Sequence, residues 1–184
     1  GDWSSDVCSS DLHGRGTVFR LDPSGPVVTT IFSFDGSNGS DPALGLIETL
    51  PGILWGTTMG GGDNQAGTVF RLDLNGGATL TVVHSFSTSG SDGSSPESSV
   101  IDGGDGFLYG TARYGGTSCG GTIFQIDPSL PGFSVVHSFD CFDPSDGYQP
   151  AAGLVRGSDG MLYGTTLYGG DSGLGTLFQF APSG

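Results

Sequence analysis

The 184 residues carry 19 acidic side chains against five arginines and no lysine, for a net charge of −14, and glycine fills 36 positions. So acidic a surface repels nucleic-acid phosphates and anionic membranes, while 35% hydrophobic content with 12 Phe and 5 Tyr is too apolar for a disordered chain. High glycine with regular aromatics fits many short strands, and no apolar run approaches the roughly 20 residues of a membrane helix.

In chain order the first segment is Asp2–Leu12, DWSSDVCSSDL. It resembles, residue for residue, the in-frame translation of a common short-read sequencing adapter. Such scars are set aside before fold reasoning. On that reading residues 1–12 are non-native, Cys8 is foreign, and removing Asp2, Asp6 and Asp11 takes the net charge from −14 to −11. The natural chain is then expected to run on upstream of His13, where any signal peptide would lie.

From His13 onward the chain repeats itself. Gly16-Thr17-Val18-Phe19 returns at 67–70, as Gly121-Thr122-Ile123-Phe124 and as Gly175-Thr176-Leu177-Phe178. Ile31-Phe32-Ser33-Phe34 returns as Val83-His84-Ser85-Phe86 and Val136-His137-Ser138-Phe139. A glycine three residues before a proline recurs at Gly39/Pro42, Gly93/Pro96 and Gly147/Pro150, and Leu54-Trp55-Gly56-Thr57 returns at 108–111 and 162–165. The order is constant and the period is about 53 residues, giving units at approximately 13–41 (partial), 42–95, 96–149 and 150–184 (partial).

Each full unit holds four apolar stretches of strand length. In the unit 96–149 these are Pro96–Asp102, Phe107–Ala112, Gly121–Asp127 and Phe133–Phe139, with turn pairs such as Asp105-Gly106 between them. Apolar residues fall on both faces of these strands. The pattern predicts an all-β fold: a partial, open β-propeller of roughly three four-stranded blades, with two strands before Pro42, four in each full unit and three after Pro150. Closed propellers have about 4–8 blades, so the expected partners include further blades of the same chain.

The pattern DGxLYGTTxxGG…GTxFxxD…VVHSF, spanning His13–Gly184, resembles the GloVer tandem repeat of bacterial proteins with varied cell-surface anchors, and its Leu-Tyr before a Gly-Gly pair is kelch-like. The resemblance implies a bacterial, exported, extracellular or cell-surface location. It supplies no catalytic residues to carry over.

Comparing units with one another weighs the candidate residues. His84 and His137 correspond to Phe32, and Asp105 and Asp159 to Pro51, which points to packing and to turns. Asp22, Asp73 and Asp127 read as turn residues, and Trp55, Tyr109 and Tyr163 as filler between blades. Tyr114 and Tyr168, beside Gly-Gly loops, are the candidate ligand-binding residues. The Asp- and Gly-rich loops are of the kind that hold Ca²⁺, but none matches an EF-hand or an RTX repeat; no other cofactor is expected. Cys119 precedes the third strand of its unit and Cys141 follows the fourth, so a hairpin centred near Leu130 sets them opposite each other and predicts a Cys119–Cys141 disulfide.

Two functions follow. The first is a non-enzymatic surface repeat protein that binds a glycan or another surface protein through its loops. The alternative is part of a glycan-active propeller enzyme with its catalytic residues elsewhere. Glu97, Arg113 and Arg156 are the most distinctive polar residues outside the repeat, and they form no recognised signature.

Overall fold

A computed structural model describes residues 3–6, 13–25, 27–42, 44–130, 132–143 and 145–182, the first of these as backbone only. Cys8 and the rest of 7–12 lie outside the described residues. Fourteen strands and no helix occur among the described residues.

The strands fall into four antiparallel meanders. The first sheet is β1 (Trp3–Asp6), β2 (Thr17–Asp22) and β3 (Val27–Ser33). The second is β4 (Ile47–Leu50), β5 (Ile53–Thr58), β6 (Thr68–Asp73) and β7 (Thr79–Ser85). The third is β8 (Ile101–Asp102), β9 (Leu108–Ala112), β10 (Cys119–Asp127) and β11 (Gly132–Asp140). The fourth is β12 (Val155–Arg156), β13 (Leu162–Thr165) and β14 (Leu177–Phe180). Within each sheet, strands adjacent in sequence are hydrogen-bonded neighbours.

Strand alternation explains why the sequence is apolar on both faces. Along β5, Leu54 enters a core with Val18 and Phe34 of the first sheet, while Ile53 and Trp55 enter one with Leu108 and Phe124 of the third. All six residues of β5 and all five of β9 are buried. The third junction joins Tyr109, Ile123 and Phe139 to Leu154 and Leu162.

One aromatic contact recurs at every junction. The last Phe of a V-H-S-F-type segment meets, edge to face, the Phe of the next unit's G-T-x-F: Phe34–Phe70 at 5.2 Å, Phe86–Phe124 at 5.4 Å and Phe139–Phe178 at 5.1 Å. Each of these rings also explains a glycine. Gly56 pairs with Phe70, and a Cβ at Gly56 would stand 2.6 Å from that ring; Gly110 opposite Phe124 and Gly164 opposite Phe178 are equally crowded.

The first strand of each unit is shorter than its sequence suggests. Pro96–Asp102 reads as a strand, yet only Ile101 and Asp102 pair with β9. Upstream, Pro96 rests against Gly67, the Ser98 hydroxyl bonds that of Thr111 at 2.9 Å, and the Ser98 carbonyl accepts from Thr57 Oγ1 at 2.8 Å. These contacts tie the segment to Thr57 of the second sheet and Thr111 of its own, in place of a longer ladder.

The outermost sheets show bare faces. Leu72 is 0% exposed, whereas Leu21 at the same repeat position is 42% exposed; Val69 is 0% exposed, whereas Leu177 is 75% exposed.

Candidate functional site

The long loops before each unit's first strand and those between its second and third strands share one rim, where a repeated backbone weave holds them. Asp41, Ser95 and Gln149 adopt left-handed backbone (φ 56°, 52° and 59°). Their amides donate to the carbonyls of Arg15, Ala66 and Gly120 of the same unit, at 3.0, 2.8 and 2.7 Å. The residues just before them form antiparallel bridges, Ser40 with Gly60, Ser94 with Tyr114 and Tyr148 with Tyr168. The Gly-x-x-Pro motif and the Gly-Gly pairs serve this weave: a Cβ on Gly61 would stand 2.5 Å from the Gly39 backbone.

On this fixed frame the bridge positions carry progressively larger side chains along the arc, from Ser40 and Gly60, through Ser94 and Tyr114, to Tyr148 and Tyr168. The last two rings stack at 5.3 Å and 26°. Tyr114 is 39% exposed and Tyr168 44%, so both candidate residues lie open on the rim. Between them stands Arg113. It donates from Nη1 to both oxygens of Glu97 (2.9 and 3.0 Å) and from Nε to Gln149 Oε1 (3.4 Å), with its guanidinium 4.9 Å from the Tyr114 ring centre. The Glu97 carboxylate holds the guanidinium above its ordinary pKa, and both tyrosines act in the same direction. Glu97 and Arg113, which form no signature in sequence, are thus one ion pair, whereas Arg156 lies elsewhere. Tyr148 carried no repeat signal of its own; its position two residues before Pro150 in the Gly-x-x-Pro motif was the available clue.

The two histidines have partners that the repeat comparison missed. His84 Nε2 lies 2.9 Å from Asp92 Oδ2, and its ring stacks on Phe133 of the next sheet at 3.6 Å; His137 Nε2 lies 3.2 Å from Asp146 Oδ1. In the first unit Phe32 and Asn38 replace such a pair. Burial pushes the His84 pKa below its usual value, against the opposing pull of Asp92, whose Oδ1 is buried without a hydrogen-bond partner. A histidine pKa depressed on folding means that the unfolded chain takes up the proton first. The stability that this histidine contributes is therefore fully present above about pH 6.5 and is lost as pH falls through its depressed folded-state pKa. The double change His84→Phe and Asp92→Asn, which copies the first unit, should flatten this slope. Urea midpoints measured at pH 7.5 and 5.5 report it, and a slope equal to the parent's would contradict the assignment.

The remaining polar candidates are occupied locally. Asp105 Oδ1 accepts the Phe107 amide and Oδ2 the Tyr109 hydroxyl; Asp159 does the same for Met161 and Tyr163. Asp22, Asp73 and Asp127 cap their turns through Ser24, Asn75 and Ser129, and these bonds lower their pKa values. Trp55 and Tyr109 are buried between sheets. Asp35 and Asp143, in the loops read as suiting Ca²⁺, bond their own loop serines; among the described residues no three of His, Cys, Asp and Glu are grouped to hold a metal ion. Cys119 and Cys141 are joined as a disulfide with Cα atoms 5.7 Å apart.

Two likenesses to known proteins accompany this geometry. A family model described as the Gloeobacter/Verrucomicrobia repeat matches residues 7–184. No curated protein matches. Among solved structures, TolB from Acinetobacter baumannii, a β-propeller, is similar at 15% identity with a TM-score of 0.59. The match covers 98% of this chain but 39% of that one, so the chain spans about two fifths of that protein's length.

Proposed function

Since the chain belongs to the Gloeobacter/Verrucomicrobia repeat family, we propose that it is a non-enzymatic, exported repeat protein whose tyrosine-bearing rim binds a glycan of a cell surface. The observation that carries this reading is the stacked Tyr148–Tyr168 pair beside the Glu97–Arg113–Gln149 network and Tyr114. Exposed rings offer flat apolar faces to sugar C–H groups, and a network with donors and acceptors fixed in place orients hydroxyls. The rim is preferred as a binding surface over a catalytic one because both oxygens of Glu97 are committed to Arg113. Titration with soluble chitin-, cellulose- and mannan-derived oligosaccharides tests it. Saturable binding is expected for at least one, weakened about tenfold by Tyr114→Ala with Tyr168→Ala, since each stacking contact is worth about 0.5–1.5 kcal/mol. Binding that ignores both substitutions, or none across the panel, would sink the reading.

The architecture supports three further parts of this reading. The sheets are blades of an open, kelch-like propeller arc of roughly three blades' worth of strands, divided near residues 42, 96 and 150. Further blades of the full-length chain cover Leu21 at one end and Leu177 at the other. The disulfide suits an oxidising, extracellular setting.

A further inference from the structure

On the rim opposite the tyrosines, where the tight turns lie, a cavity of about 360 Å³ opens between the second and third sheets. That size lies within the range of sites that accept a small molecule or a guest side chain. Trp55, Leu50 and Phe107 give it apolar walls, and Glu48, Asp102 and Arg71 give it polar ones. The charges do not cancel. Arg71 is taken up by Asp73 at 3.0 Å. Glu48 and Asp102 each spend one oxygen on a turn amide, those of Gly52 and Gly104 at 2.7 Å, and each still brings a negative charge to the wall.

The next junction shows what complements such a turn. Arg156 holds the repeat position of Glu48 and Asp102, and it lays its guanidinium across Gly104 of the third sheet so closely that a Cβ there would collide with it. At that seam the chain supplies its own guanidinium to the turn that follows Asp102. At the preceding seam the corresponding residue is Asp102 itself, a short carboxylate, and a cavity opens. Leu50 takes the place of Gly104 there and lines the cavity wall while remaining 65% exposed.

We propose that this groove receives an arginine side chain presented by a partner protein or peptide. The methylene shaft lies along Leu50 and Phe107, over the buried edge of Trp55, and the guanidinium bonds Glu48 and Asp102. The chain's charge of −14 draws such a partner in. The site is independent of the tyrosine rim and does not rest on the glycan reading.

The test uses the 184-residue chain with Trp3→Phe, so that Trp55 is its one indole, titrated at 150 mM NaCl with acetyl-Gly-Arg-Gly amide and with the isosteric citrulline peptide. A saturable change in Trp55 fluorescence is expected for arginine, with citrulline at least tenfold weaker. Glu48→Gln with Asp102→Asn should lower arginine affinity at least tenfold, and Asp102→Arg should abolish binding by filling the groove as Arg156 does its own seam. Tyr114→Ala with Tyr168→Ala should leave it unchanged. Equal response to citrulline, undiminished affinity in the neutralised variant, or no saturable response to arginine overturns the proposal.

Discussion

Replacing Phe124 with alanine is expected to remove about 3–5 kcal/mol of unfolding free energy, the range for deleting a well-packed ring from a core. The ring is fully buried, meets Phe86 of the preceding unit at 5.4 Å and Phe133 of its own sheet at 5.5 Å, and roofs Gly110 on the neighbouring strand. The same geometry makes Gly110→Ala costly, at about 1–3 kcal/mol, because the added methyl has no room beneath the ring. The two effects should not add. With Phe124→Leu the space over position 110 is relieved, so Gly110→Ala should cost clearly less in that background than in the parent. Denaturant midpoints at unchanged slope measure the parent, the three single variants and the Phe124→Leu/Gly110→Ala double variant. Strict additivity would show that the glycine of L-Y-G-T is retained for some other reason than the phenylalanine of G-T-x-F.

That coupling also shows why so much of the fold was legible. A blade covered on both sides must repeat its contacts at each seam, so Gly56, Gly110 and Gly164 recur in register with Phe70, Phe124 and Phe178, and the 53-residue period emerges without any alignment. Turn aspartates were legible for a similar reason: Asp22, Asp73 and Asp127 act on amides two residues away, well within the reach of local reading. The site was less so. Tyr114 and Tyr168 stand out by sequence because Gly-Gly pairs follow them. The stacking of Tyr148 on Tyr168 depends on the weave between loops 20 residues apart, and the Glu97–Arg113 pair spans 16 residues across a hairpin. Asp92 and Asp146 escaped because the loops after the two histidines differ in length, at separations of 8 and 9 residues. Counted from the histidines the register slips by one residue, although both aspartates stand directly before the glycine of Gly-x-x-Pro, where the first unit has Asn38.

Removing the Cys119–Cys141 bridge, through Cys119→Ser with Cys141→Ser or by reduction, is expected to cost about 3 kcal/mol, the chain-entropy value for a loop of this size. Comparison between sheets gives the bridge a specific task. In the second sheet the mouth of the β6–β7 hairpin is tied by polar contacts: Ser85 Oγ accepts the Asp63 amide at 2.8 Å, and Asn64 Nδ2 donates to the Phe86 carbonyl at 3.3 Å. In the third sheet Ser138, the counterpart of Ser85, has a buried hydroxyl without a hydrogen-bond partner. There the covalent link, with Cys119 paired opposite Asp140 and Cys141 N donating to Ser118 O at 3.0 Å, closes the mouth instead. Cys119 itself sits at φ 62°, a left-handed position held by Gln65 at 57° in the second unit and by Gly173 at 70° in the fourth. Cys119→Gly with Cys141→Ser should therefore lose less than the double serine variant, by about 1 kcal/mol, because glycine accepts that backbone without strain. Denaturation of the oxidised, reduced, Ser/Ser and Gly/Ser forms separates the two contributions. Equal midpoints for the oxidised and Ser/Ser chains would mean that the hairpin mouth is held by its ladder alone.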